Sequence, residues 1–217
     1  MAHNFTNAFI FDLDGVLTDT AALHLAAWRE IASGLHLDVN DALGEQLKGV
    51  SRMDSLDIIL APSPRRFALA EKAALADRKN AAYVRLLETV TVNDLLPGAV
   101  QALMAVRAAG SGLALASASR NALAVLDRLD IAALFDHVVD ASTISRGKPD
   151  PEIFLTAARV LGVSPSLCVG VEDAAAGVQA IKSAGMYAIG VGDASVLALA
   201  DRVIPDLTHF RPRDYLP

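Results

Sequence analysis

The segment AFIFDLDGVLTDT, residues 8–20, opens with a short apolar run from Ala8 to Phe11. Its aromatic and branched residues, with no polar residue alternating among them, suit a strand buried on both faces of a parallel sheet. The run stops at Asp12, and Asp14 follows two positions later. Residues i and i+2 of an extended chain point the same way, so both carboxylates leave the strand end on one side. Gly15 then permits a sharp turn. Open α/β sheets hold their ligands at the carboxyl ends of such strands. Taken alone, the two aspartates could equally be turn formers, and the segments downstream decide between these readings.

After Thr20 the apolar period changes. Leu23, Ala26, Ala27, Ile31 and Ala32 recur at helical spacing, with Gly34 as a stop. Helices are also predicted over 41–47, 54–60 and 64–90, the last with Tyr83, Leu86, Leu87 and Val90 as its buried stripe. No strand is expected between Thr20 and Thr91. Residues 20–91 are therefore predicted to form an inserted helical domain, and 1–19 with 92–217 the core. From Leu95 onward, predicted helices (97–109, 121–129, 151–161, 174–184) alternate with predicted strands (112–116, 137–139, 166–171, 187–191). A last unit of the same kind spans 195–200 and 202–204. This alternation predicts an α/β fold, a doubly wound parallel sheet covered on both faces.

Composition narrows the function classes. Of 217 residues, 53% are hydrophobic and 20% charged, enough for a substantial buried core. The net charge of −6 and the lack of a basic block argue against nucleic acid or an anionic membrane as partner. An anionic substrate would need a local cluster of cations or a metal. The single cysteine, Cys168, sits in the apolar run LCVGV and is expected to be a buried, inert thiol. MAHNFTNA has neither a cationic start nor a long apolar run, so no signal peptide is expected. The most apolar window, 186–204, is broken by Gly190, Gly192, Asp193 and Asp201 and is not a membrane span. A cytoplasmic protein is expected, and a monomer, since no exposed apolar stripe is evident.

Each predicted core strand runs into polar residues. GLALA is followed by Ser117, Ala118, Ser119, Arg120 and Asn121; GKPDPE carries Lys148; LCVGV ends in Glu172 and Asp173. In a parallel sheet these ends share one edge. That edge has the parts for phosphoryl transfer through an aspartyl phosphate. An ionised aspartate is an adequate nucleophile, but it repels a phosphate dianion, so Mg2+ is needed to bridge the two. Hard oxygens from Asp12 and Asp173, with Glu172 nearby, suit that ion. Ser117 and Lys148 can balance the equatorial phosphoryl oxygens. Asp14 is then free for general acid and base work.

DLDGVLTDT, ASASRN, GKPDPEIF and GVEDAAAG resemble, in order, the four motifs of the haloacid dehalogenase superfamily of phosphotransferases. The resemblance spans the whole chain and implies a Rossmann-like core with an inserted α-helical cap. TDTAALHLAAW with LKGVSRMDSL is similar to the β-phosphoglucomutase branch. That branch interconverts β-glucose 1-phosphate and glucose 6-phosphate through the 1,6-bisphosphate. By this resemblance Asp12 is the nucleophile and a magnesium ligand. Asp14 is the general acid/base and lends its backbone carbonyl to the metal, and Glu172 and Asp173 complete the metal site. Ser117 and Lys148 would bind the transferring phosphoryl group. Lys48, Gly49, Val50 and Arg52 would close over the sugar, with Arg52 on the distal phosphate. Ala118 lines the same loop as Ser119, Arg120 and Asn121, which would meet that phosphate from the core. Thr20, His24 and Lys79 would couple closure to the position of Asp14.

Two positions depart from the pattern: Arg120 stands where lysine is expected, and Ala174 where a polar residue is common. Plainer readings remain open for others. His24 could lie on a polar helix face, Trp28 could be core or substrate-facing wall, and acids at 172–173 could merely favour a helix start. His3, His36, His137 and His209 receive no functional reading. A sugar-phosphate phosphatase with the same motifs is the alternative activity. A phospho-accepting signalling domain fits less well, because it needs neither Asp14 nor a helical lid.

Overall fold

A computed structural model describes residues 5–47 and 49–215. In chain order the elements are β1 (Ala8–Phe11), α1 (Ala21–Ser33), α2 (Asp41–Gln46), α3 (Arg52–Leu60), α4 (Leu69–Leu87), α5 (Ala99–Ala108) and β2 (Gly112–Leu115). There follow α6 (Ala122–Arg128), β3 (His137–Val138), α7 (Glu152–Leu161), β4 (Cys168–Glu172), α8 (Ala175–Ser183), β5 (Tyr187–Val191) and β6 (Arg202–Ile204). The six strands form one sheet in the order β3-β2-β1-β4-β5-β6, and every pair is parallel. The order reverses between β1 and β4, and a doubly wound sheet opens its ligand crevice at that point. Asp12 follows β1 directly and Glu172 ends β4, so the two flank the crevice.

All four residues of β1 are buried, as a central strand covered on both faces requires. Phe9 and Phe11 pack on one face with Leu113, Leu115, Val169 and Val171, against α5 and α6. Ala8 and Ile10 point to the other, where α7 and α8 supply Phe154, Ala157, Val178 and Ile181. The helices over the strand ends have a core of their own, built from Trp28, Ile31, Leu56, Ile59, Leu60 and Leu75. The end of α4 is different: Ala82, Tyr83 and Leu87 belong to the sheet's core.

Several boundaries differ from the sequence reading. The fourth helix starts at Leu69 rather than 64, because Ala68 is extended and Glu71 reaches back to accept its N–H at 2.9 Å. Arg65 stacks over Phe67 in that extended lead. Residues 195–200 form turns, since the Asp193 carboxylate accepts both the N–H and the hydroxyl of Ser195 at 2.8 Å. The third helix begins at Arg52, two residues early, where the Ser51 hydroxyl accepts the Asp54 N–H. In α1 the buried face is Ala27, Trp28, Ile31 and Ala32, while Ala26 is exposed. Cys168 is buried, and burial pushes its thiol up to about 11. Among the described residues, no helix is long and apolar enough to cross a membrane.

Candidate active site

Lys148 and two carboxylates form the buried centre. Its Nζ lies 2.7 Å from Asp12 Oδ1 and 2.6 Å from Glu172 Oε1. Burial alone would lower the ammonium, but Asp12 and Glu172 reverse this and hold it charged. The Asp12 carboxyl is raised well above its ordinary value, first by burial and also by Glu172 and Asp173, with Lys148 opposing. Glu172 uses its other oxygen to accept the Ala174 N–H at 2.9 Å. Close packing fixes both acids of β4's end. A Cβ on Gly177 would come within 1.8 Å of Glu172 Oε1, and one on Gly15 within 2.0 Å of Asp173 Oδ2. Gly15 also has φ +77°, a conformation that glycine adopts freely.

Asp12, Glu172 and Asp173 each offer an oxygen, all within 4.8 Å of one another. Three carboxylate oxygens this close together concentrate negative charge beside the Lys148 ammonium. A divalent cation with hard oxygen preference fits that donor set. The group raised by burial, Asp12, is the one such an ion would return to its ionised form.

Asp14 sits beside this centre, and its Oδ1 accepts from both the N–H (3.2 Å) and the hydroxyl of Thr20. Burial raises its carboxyl, while the Thr20 bonds act against that. The Thr20 hydroxyl also lies 3.0 Å from the Tyr83 hydroxyl on α4. His24 stacks on the Tyr83 ring, with centroids 3.9 Å apart, and its Nε2 is 4.0 Å from Asp14 Oδ2. Lys79 completes the group, with its ammonium over the rings of Trp28 and Tyr83.

Of these residues, Asp12, Asp14, His24, Trp28, Lys79 and Asp173 line a cavity of about 320 Å³ between the strand ends and the helices above. Asp12, Asp14, Ser117 and Asp173 form its floor. Trp28, Gly49, Val50, Arg52 and Lys79 come from the helical side, and Ala118, Ser119 and Arg120 from the loop after β2. The Ser117 hydroxyl accepts the Ser119 N–H at 3.1 Å, which leaves its proton free to donate into the cavity. Arg52 from the helical side and Arg120 from the loop after β2 add two cations to a cavity whose floor carries carboxylates, so the site has charge of both signs.

The sequence profile of the haloacid dehalogenase-like hydrolases matches residues 6–185. The chain belongs to that family. A β-phosphoglucomutase of Bacillus subtilis is 47% identical over 199 residues, covering 91% of this chain and 88% of that protein. A phosphorylated carbohydrates phosphatase of Thermotoga maritima is 35% identical, covering 84% of this chain and 83% of its own. Among solved structures, a β-phosphoglucomutase from Clostridium difficile superposes with a TM-score of 0.93 at 43% identity, covering 96% and 95% of the two chains. The resemblance drawn from the four motifs is thus borne out. As a haloacid dehalogenase-like protein with these relatives, the chain is an enzyme of the phosphotransferase type.

For this haloacid dehalogenase-like chain, most residues singled out from sequence meet in or beside one cavity. Lys48 lies outside the described residues. Asn121 stands behind the cavity wall, with its amide Nδ2 donating to Asn80 Oδ1 at 2.8 Å. Trp28 is both things at once, a member of the helical core and part of the wall. Ala174 lies on the side of Gly49, where a Cβ added to that glycine would be 3.7 Å from its methyl carbon. Two residues escaped the sequence reading. The apolar period places Tyr83 only in a buried stripe, and nothing in that period marks Asn80. The visible signal was KNAAY, which puts Lys79 and Tyr83 on one helical face at i, i+4.

Proposed function

We propose that the chain is a β-phosphoglucomutase, interconverting β-D-glucose 1-phosphate and glucose 6-phosphate through an aspartyl phosphate and the 1,6-bisphosphate. The observation that carries this reading is a second cationic place, Arg52 with Arg120, in the same cavity as Asp12. A bisphosphate must be held at both ends, whereas a simple phosphatase needs to grip only the phosphate it cleaves.

In this reading Asp12 attacks phosphorus through a carboxylate oxygen, and the bond from phosphorus to the sugar oxygen breaks. Asp14 gives that oxygen a proton, and takes one from the attacking hydroxyl in the return step. Its raised carboxyl suits a group that must hold a proton at times. Ser117 donates to an equatorial phosphoryl oxygen, and Lys148 holds Asp12 and Glu172 in register. Mg2+, held by Asp12, Glu172, Asp173 and the Asp14 carbonyl, would neutralise charge on the transferring group when bound. Arg52 is the first residue of α3, so a phosphate beside it also meets the positive end of that helix.

Residues 20–91 act as a cap on a core of 1–19 and 92–217. Tight seams support this. A Cβ on Gly147 would lie 3.2 Å from the Ser51 Cβ, and one on Gly49 would lie 3.7 Å from the Ala174 Cβ. A seated cap excludes water, which protects the aspartyl phosphate from hydrolysis. The enzyme acts as a monomer in this reading, and a phosphorylated sugar suits a cytoplasmic enzyme. The test is product analysis with β-glucose 1-phosphate and a trace of the 1,6-bisphosphate in Mg2+. Glucose 6-phosphate is expected. Glucose and free phosphate as the main products would favour the phosphatase activity of the Thermotoga relative.

A further inference from the structure

Asn80 is on α4, and its single Oδ1 accepts two hydrogen bonds from two different elements. One comes from Arg52 Nη2 at 2.9 Å, at the start of α3. The other comes from Asn121 Nδ2 at 2.8 Å, just before α6 in the core. One neutral oxygen therefore ties together two helices of the cap and the loop after β2. Arg52 lines the cavity and Asn80 does not. Whatever Asn80 does for a ligand, it does through Arg52.

The partner's neutrality matters. Among the described residues, Arg52 makes no ion pair, although Asp77 stands near enough to be felt. Burial and the neighbouring Arg120 lower its guanidinium, and Asp77 opposes them only in part. An arginine side chain is long and has many rotamers. Facing another cation, it gains by swinging out to water unless something holds it. A carboxylate at position 80 would hold it more strongly, but would also neutralise the charge a phosphate needs. An amide oxygen holds the guanidinium and leaves that charge available. Because the same oxygen takes the Asn121 bond, the hold is complete only when α4 lies against the core.

We infer that Asn80 is a positioning residue for the far phosphate of a doubly phosphorylated sugar, orienting Arg52 through an uncharged acceptor that also reads cap closure at Asn121. This rests on the sugar-phosphate reading above and adds a determinant to it.

The test compares Asn80→Ala and Asn80→Asp with wild type, in the full-length enzyme with excess Mg2+. Two quantities are read: the dissociation constant for glucose 1,6-bisphosphate by titration, and the turnover of acetyl phosphate, whose one phosphoryl group reaches only Asp12. Asn80→Ala is expected to weaken bisphosphate binding about tenfold or more, a loss of ~1.4 kcal/mol. Asn80→Asp keeps both hydrogen bonds and the melting temperature, yet is expected to weaken binding as well, because it neutralises Arg52. Acetyl phosphate turnover stays within about twofold of wild type in both, because that half of the site is untouched. Wild-type affinity in Asn80→Asp would overturn the inference, leaving Asn80 a packing acceptor. So would unchanged binding in Asn80→Ala, or a loss of acetyl phosphate turnover in step with the loss of binding. A wild type that yields only glucose and phosphate would sink the mutase reading instead. The comparison of bisphosphate affinities would still decide the role of Asn80.

Discussion

Lys79 Nζ lies 2.6 Å from Nδ1 of His24, and the other nitrogen of that ring lies 4.0 Å from Asp14. Burial first, then Lys79 and Arg52, push His24 well below its usual value, so the ring is neutral. While Lys79 is an ammonium it can only donate, so in that state Nδ1 accepts and the ring proton sits on Nε2, on the side of Asp14. In its protonated state Lys79 thereby selects the tautomer whose N–H lies on the side of the acid/base group.

The same lysine gives a pH signature. Burial, with Arg52 adding to it, lowers the Lys79 ammonium from 10.5 to about 7. Between those values the unfolded chain holds a proton that the folded protein has released, so stability contributed here rises with pH. Below about 7 both states are protonated and the contribution is constant. Lys79→Met removes the titrating group. In urea unfolding from pH 6 to 10, the stability of wild type relative to Lys79→Met should climb with pH across the upper part of the range. A flat or falling difference would contradict it.

Thr20→Val keeps the side-chain shape and removes the hydroxyl shared by Asp14 and Tyr83. Two buried polar groups then lose a partner, which should cost about 1–3 kcal/mol in thermal or urea unfolding. Turnover should drop at least tenfold, part of the 10²–10⁴ that a positioned acid/base group supplies. Thr20→Ser should recover most of both. If Thr20→Val turns over like wild type, the Thr20 hydroxyl does not position Asp14.

Gly177→Ala would normally help a helix by about 1 kcal/mol. Here the added methyl group meets Glu172 Oε1 at 1.8 Å, and Glu172 holds Lys148. The substitution should therefore lower both the melting temperature and the affinity for Mg2+, measured by calorimetric titration. A variant with raised stability and unchanged metal affinity would show that Glu172 can move without consequence.

What was legible in the sequence followed the range of each interaction. AFIF and LCVGV are uninterrupted apolar runs, and both are central strands whose ends carry Asp12 and Glu172. Their polar termini could be assembled on one edge because parallel strands leave no other choice. Local side-chain contacts were harder. The Glu71 bond to Ala68 delays α4, and the Asp193 turn replaces a helix at 195–200, yet neither changes the apolar period. Asn80 and Tyr83 were hidden for another reason. Their partners Asn121 and Thr20 are 41 and 63 residues away, brought close only when α4 lies across the strand ends.

Arg52 bears the central claim, since it reaches the cavity from the cap and is the grip a phosphatase would not need. Arg52→Ala should leave hydrolysis of the aspartyl phosphate intact and remove a charge-assisted contact of about 1.5–3 kcal/mol to the far phosphate. The measurement is the ratio of glucose 6-phosphate to free phosphate formed from β-glucose 1-phosphate, followed by phosphorus NMR in wild type and variant. The ratio should be high in wild type and fall at least tenfold in Arg52→Ala, with phosphate release continuing. An unchanged ratio in the variant would contradict the account.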